Sequence, residues 1–352
     1  MANIERVHFR EVDLADSFFD SLKEAYVEFS DWFSRKSNEE AYILKGSEGQ
    51  IQAFLYLKLE DGPISDINPP LNVKRCLKVG TFKIDAHGTR LGERFVKKIF
   101  DHALASNVAH IYVTVFQQHV PLIGILTKYG FIEYGDKVTK NGKELVYIKD
   151  FSRLTGDVRL DYPVADLRGK NKWLLSIKPK WHTQLFPDSI LKNEDARIVD
   201  DLSHTNSIQK SYIAAMDGLS GIMQGDGIII YRTAEEGRPA WYTSVATSLC
   251  VVEDVRPRNS FKNLSDFSNF IGRNSVFKEQ DISYWFNRQG KNEVYVIKMT
   301  YNVAFTRRPT MQKLVEEIGL DQQAYWGFRV LENEQFNKIV KMGKVNEGII
   351  IN

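Results

Sequence analysis

Behind Asp16, apolar residues recur at Phe18, Phe19, Leu22, Tyr26, Phe29, Trp32 and Phe33, a helical spacing with a capping residue at its head. Before it, Val7–Val12 alternates apolar and polar positions as a half-buried strand does. Ala41–Lys45 and Gln50–Glu60, joined across a Ser-Glu-Gly turn, predict a hairpin, and Gly62–Pro70, with three prolines, predicts a loop. Leu77–Ile84 then reads as a strand, Leu91–Ala105 as an amphipathic helix, and His110–Phe116 as a β-branched and aromatic strand. Pro121–Tyr129 predicts a short helix stopped by Gly130. Phe131–Gly135 begins another strand, and a turn at Lys140–Lys143 leads into Glu144–Phe151. The alternation of strands and helices predicts a mixed sheet.

The texture changes after residue 154. Residues 155–171, with Gly156, Pro163 and Gly169, read as a linker between an N-terminal domain (1–154) and a C-terminal one (172–352). Beyond it, short β-rich runs (Trp173–Ile177, Gly227–Tyr231, Trp241–Val252, Glu293–Thr300) alternate with irregular polar stretches, and helices are expected at Met311–Ile318 and Glu332–Met342. The pattern predicts a small closed or half-open β-barrel with helices in its crossings. The fold class is α+β, and 352 residues suit two domains.

Composition narrows the function classes. Hydrophobic residues at 43% and charged residues at 26% exclude a largely disordered chain. No apolar run approaches the ~18 residues of a bilayer span, and Met1–Arg10 lacks a signal-peptide core. Cys76 and Cys250 form no CxxC pair, so neither a disulfide framework nor a metal site is expected. The expectation is a soluble, cytoplasmic protein. Net charge is +2; the first 150 residues carry 20 basic and 21 acidic side chains, the rest 27 and 24. That balance is compatible with a nucleic-acid partner without requiring one.

The stretch with most chemical content runs from Lys83 to Arg94, where a strand enters a glycine-containing turn and then a helix. The first turn of a helix has amides without intrahelical partners and the positive end of the dipole, so it can hold a phosphate. Candidate contacts are Ile84, Asp85, His87, Gly88, Thr89, Arg90, Leu91 and Gly92; an ordinary strand–helix connection is the alternative. With the order of elements around it, this turn resembles the GNAT acyltransferase superfamily over about residues 4–152. The resemblance implies acetyl-CoA between two splayed central strands, with pyrophosphate on the turn. His87 falls at the family's Arg/Gln position, Arg90 at its first glycine and Gly92 at its last small position. Where the family commonly has an asparagine and a tyrosine, this chain has His119 and Leu126. Tyr129, about one turn on, is the candidate proton donor to the leaving thiolate, with core packing as the alternative. Asp85 and Glu133 are candidate bases by location alone.

The second half resembles ASCH-type and EVE-type members of the PUA-like superfamily. Leu174–Pro179, Gly225–Tyr231 and Tyr325–Leu331 before the Glu332 helix carry the likeness. It implies RNA or modified nucleobases as ligands. Stacking a base needs an exposed ring with a cation beside it. Lys178, Lys180, Trp181, Tyr231 and Trp241 are the candidates, each aromatic having a core role as its alternative. Together these readings predict acetyl transfer from acetyl-CoA to an amine, on an RNA-linked substrate recruited by the second domain. The rival is a non-catalytic reader of RNA or modified bases with a degenerate first domain.

Overall fold

The computed structural model describes residues 4–46, 48–85, 88–189, 191, 202–345 and 347–352. The chain divides into two compact units, Met1–Leu154 and Thr155–Asn352.

The first unit is built on a seven-stranded sheet in the order β1-β2-β3-β4-β5-β7-β6. Its strands are β1 (Ile4–His8), β2 (Glu40–Lys45), β3 (Ile51–Asp61), β4 (Arg75–Ile84), β5 (His110–Val115), β6 (Ile132–Thr139) and β7 (Gly142–Asp150). All neighbours are antiparallel except β4 and β5. Its helices are α1 (Asp20–Ala25), α2 (Phe29–Arg35), α3 (Leu91–Ala105) and α4 (Val120–Lys128). The single helix expected from Phe18 to Phe33 is broken. Asp16 caps a 3-10 turn at Ser17–Phe19 rather than an α-helix, and α1 ends before Tyr26 and an exposed Val27. The aromatic stripe still packs as core: Phe9, Phe18, Phe19, Phe29 and Phe33 meet Phe54 and Tyr56 of β3. α3 matches its expected limits because Leu91, Phe95, Val96, Ile99, Phe100 and Ala103 form one buried face.

The second unit has a six-stranded sheet in the order β10-β13-β12-β11-β9-β14 and a separate pair of β8 (Ala165–Asp166) with β15 (Ile350–Ile351). The strands are β9 (Lys172–Ile177), β10 (Gln209–Ala214), β11 (Gly227–Arg232), β12 (Val245–Pro257), β13 (Tyr295–Ala304) and β14 (Phe328–Leu331). Among the described residues no ladder joins β10 to β14, so of the closed or half-open barrel expected, hydrogen bonding does not show closure. In β11 the residues alternate between two cores and all are buried. Ile228 and Ile230 join a cluster with helices α8 (Leu264–Ile271) and α9 (Glu279–Asn287). Ile229 and Tyr231 join another with α10 (Met311–Glu316) and α11 (Asn333–Met342). A strand covered on both faces reads as a continuous apolar run. Among the described residues the unit also has the short α-helices α5 (Pro179–Leu185), α6 (Ser203–Asn206) and α7 (Ala240–Thr243).

Part of the 155–171 stretch packs into the second unit. Tyr162, Val164, Ala165 and Leu167 are buried, and the Tyr162 hydroxyl donates to the Tyr301 carbonyl at 2.9 Å.

Candidate functional site

β4 and β5 pair at only three positions, Leu77↔Ile111, Lys78↔Tyr112 and Val79↔Val113. β4 continues five residues to Ile84, and β5 two to Val115, without further pairing between them. The strands therefore splay, and β4 turns from buried to half-exposed along Thr81–Ile84. Backbone groups along a splayed edge lack ladder partners, which an extended ligand can supply as an added strand does.

A bulge marks the start of the splay. Tyr56 faces Thr81 and Leu57 faces Val79, so Gly80 has no counterpart on β3. A Cβ at Gly80 would lie 2.6 Å from Tyr56 Cδ1, so a side chain there would force the ring aside. Past the bulge, Phe82 packs on Phe95 of α3, with ring centroids 6.2 Å apart. On the other face Lys83 donates to the Ser21 hydroxyl at 2.7 Å and to the Phe18 carbonyl.

The residues expected to contact an anion run from the end of β4 through the turn into α3. Ile84 ends β4; Asp85 is exposed, its amide donating to the Gln52 carbonyl. Gly88 is exposed at φ +80° and Thr89 is half-buried. His87 lies outside the described residues. Arg90 caps α3 in the left-handed region at φ 59°, ψ 26°, a conformation uncommon outside glycine. Leu91 and Gly92 are buried in the first turn. Gly92 has a packing reason of its own, since a Cβ there would lie 2.7 Å from Ile125 Cδ1 of α4.

The feature missed from sequence is Glu93, in the same turn. Its side chain is buried, yet it accepts from the Tyr129 hydroxyl at 2.7 Å and from Lys128 Nζ at 2.9 Å, and Arg90 Nη1 lies at 3.4 Å. Burial pushes the carboxyl up, but the Lys128 charge and the Tyr129 hydrogen bond outweigh it and hold it below its ordinary value. Tyr129 is fully buried, with its hydroxyl committed to Glu93, a placement that opposes the proton-donor expectation. Leu126 is likewise buried, while His119 and Glu133 are exposed.

At the open end of β5, Phe116 lies 5.5 Å from the Tyr26 ring, whose hydroxyl donates to buried Glu144 at 3.0 Å. Burial, then the Glu144 charge, push the Tyr26 hydroxyl well above its ordinary range. Only the fold brings these residues together, since Tyr26 and Glu144 are 118 positions apart in the chain.

In the second unit, Lys178 and Lys180 are exposed at the head of α5. Lys180 Nζ lies 4.2 Å from the centre of the half-buried Trp181 ring, which packs on Phe277 at 5.2 Å. Tyr231 is only 2% exposed and packs on Trp326, so it is a core ring and cannot stack on a base. Trp241 is half-buried on α7 and, among the described residues, has no ring contact with Trp181. Among the described residues, no group of three His, Cys, Asp or Glu side chains is placed to hold a metal, and no helix is long and apolar enough to cross a membrane.

Neither a family model nor a curated protein matches this sequence. Among solved structures, the chain is similar to a point mutant of the ASCH protein ZmASCH from Zymomonas mobilis: 14% identity, 49% of this chain and 96% of that one covered, TM-score 0.34. It is also similar to an IAA acetyltransferase from Bacillus cereus, with 12% identity, 43% and 99% covered, and TM-score 0.32. A GNAT-family acetyltransferase from Streptococcus agalactiae shares 14% identity, with 42% and 95% covered and a TM-score of 0.29.

Proposed function

We propose that the first unit binds acyl-CoA in the gap between β4 and β5 and transfers the acyl group, acetyl in the simplest case, to an amine. The observation that carries this reading is the end of pairing at Val79↔Val113 while both strands continue. In it, the unpaired edge of β4 hydrogen-bonds the extended arm of the cosubstrate. The backbone at the Gly80 bulge polarises the thioester carbonyl, and the first turn of α3 with Arg90 faces the pyrophosphate. Orientation of the amine against the thioester supplies much of the rate. No residue of this chain is assigned to protonate the thiolate, Tyr129 being committed elsewhere.

The second unit, in this reading, is the PUA-like half and binds RNA through Lys178, Lys180 and Trp181, presenting an RNA-linked amine. One observation favours the rival, a non-catalytic reader: buried Glu93 already places negative charge in the turn where phosphates would sit. Calorimetric titration of the full chain with acetyl-CoA separates the two. Saturable binding followed by thiol release with an amine supports transfer; absence of binding leaves only the reader.

A further inference from the structure

The splay has a second rim, on the face opposite α3. Lys78 stands directly across from Tyr112, one residue before pairing ends, so the two side chains share a face of the sheet. Its ammonium lies 5.4 Å from the centre of the Tyr112 ring and 3.8 Å from Glu60 Oε1. Glu60, on β3, also accepts from Lys58 Nζ at 2.8 Å and from the Tyr112 hydroxyl. A shallow hollow of about 370 Å³ opens beside it, lined by Lys58, Glu60, Asp61, Ser65 and Asp66 among others.

Lys78 differs from the other lysines at this rim. Lys58 and Lys83 are tied by hydrogen bonds, to Glu60 and to Ser21 respectively. The Lys78 ammonium makes no hydrogen bond among the described residues, only its ion pair and its contact with the Tyr112 ring, and its side chain is 20% exposed. Burial holds it below the ordinary lysine range, opposed by Glu60 and Asp66 and aided by Lys137 and Lys58. Gly80, where the splay begins, is two residues on, about 7 Å along the strand, within reach of a flexible four-carbon stem.

We propose that Lys78 is itself an acyl acceptor, modified by acyl-CoA held in the β4/β5 gap. The inference rests on the acyl-CoA reading above. The ammonium first gives one proton to solvent by way of Glu60. The neutral amine attacks the thioester carbonyl, a C–N bond forms, and the C–S bond breaks with its electron pair on sulfur. The second proton lost from nitrogen ends on the thiolate, so the products are an amide at Lys78, free CoA thiol and one released proton. No oxidant or further reactant is required. Acylation removes the positive charge beside Glu60 and extends the side chain toward the hollow.

The test is peptide mass spectrometry on the full chain after incubation with acetyl-CoA, with heat-unfolded protein as the reference for unselective lysine acetylation. The expected result is one acetyl group at Lys78, at least about tenfold above Lys58 and Lys83 and absent from the unfolded sample. Lys78→Arg should lose the modification while still binding acetyl-CoA by calorimetry. Glu60→Gln should slow it by about tenfold or more. Acetyl-CoA binding without selective acetylation of Lys78 overturns this inference and leaves the transfer reading standing. Absence of acetyl-CoA binding overturns both.

Discussion

Removing the Tyr129 hydroxyl separates a structural tyrosine from a catalytic one. In Tyr129→Phe the 2.7 Å bond to Glu93 Oε2 disappears, while Lys128 at 2.9 Å and Arg90 at 3.4 Å still face the other carboxylate oxygen. A hydrogen bond to a charged group contributes about 1.5–3 kcal/mol. Hydrogen exchange in α3 peptides of the full chain reads that loss as roughly 10- to 150-fold faster exchange at the slowest amides. Glu93→Ala should cost more than Tyr129→Phe, because it removes the acceptor of both the Tyr129 hydroxyl and Lys128. Acetyl-CoA affinity of Tyr129→Phe should stay within about threefold, and thiol release likewise, on the same hydrogen-bond accounting. Unchanged exchange combined with loss of thiol release would make Tyr129 the proton donor and refute the reasoning.

Three further perturbations follow from the packing. Gly92→Ala should destabilise the first unit by about 1–3 kcal/mol, and Ile125→Val, which deletes the clashing Cδ1, should recover most of it in a double-mutant cycle. His182 is fully buried, bonded through Nε2 to Thr247 at 2.8 Å, and burial with the charges of Arg232 and Arg308 pushes it down to about 3. Unfolding lets it protonate, so it contributes stability above about pH 6.5 that is lost at about 1.4 kcal/mol per unit as pH falls toward 3. Denaturation at several pH values should show His182→Gln without that slope. In filter binding to total RNA, Trp181→Ala should weaken affinity roughly 5- to 150-fold, whereas Tyr231→Phe, in the core, should leave it unchanged.

Much of the first sheet is legible in sequence because its signals are local. Leu91–Ala105 has one uninterrupted apolar face, and β5 is a compact β-branched run. The break after α1 is hidden, since Phe29 and Phe33 of α2 resume the stripe in phase and only the exposed Val27 hints at it. Glu93 reads as an ordinary acid in a first helical turn; its partners Lys128 and Tyr129 are more than 30 residues away, so its burial is a tertiary fact. Lys78 and Glu60 look like solvated strand charges until the fold sets Tyr112 against both of them. In residues 155–171, turn-forming composition conceals the packing of Tyr162 and Leu167. Alternation along β12 and β13 could not say whether the sheet closes, because closure depends on which strands lie at its ends.

Whether acyl-CoA occupies the splay of β4 and β5 is tested most directly by hydrogen exchange of the full chain with and without saturating acetyl-CoA. Occupancy of the splay predicts protection concentrated in peptides covering residues 79–85, 88–95 and 113–117, with α2 and the second unit unchanged. Binding that protects some other surface, or no protection at any acetyl-CoA concentration, would contradict it.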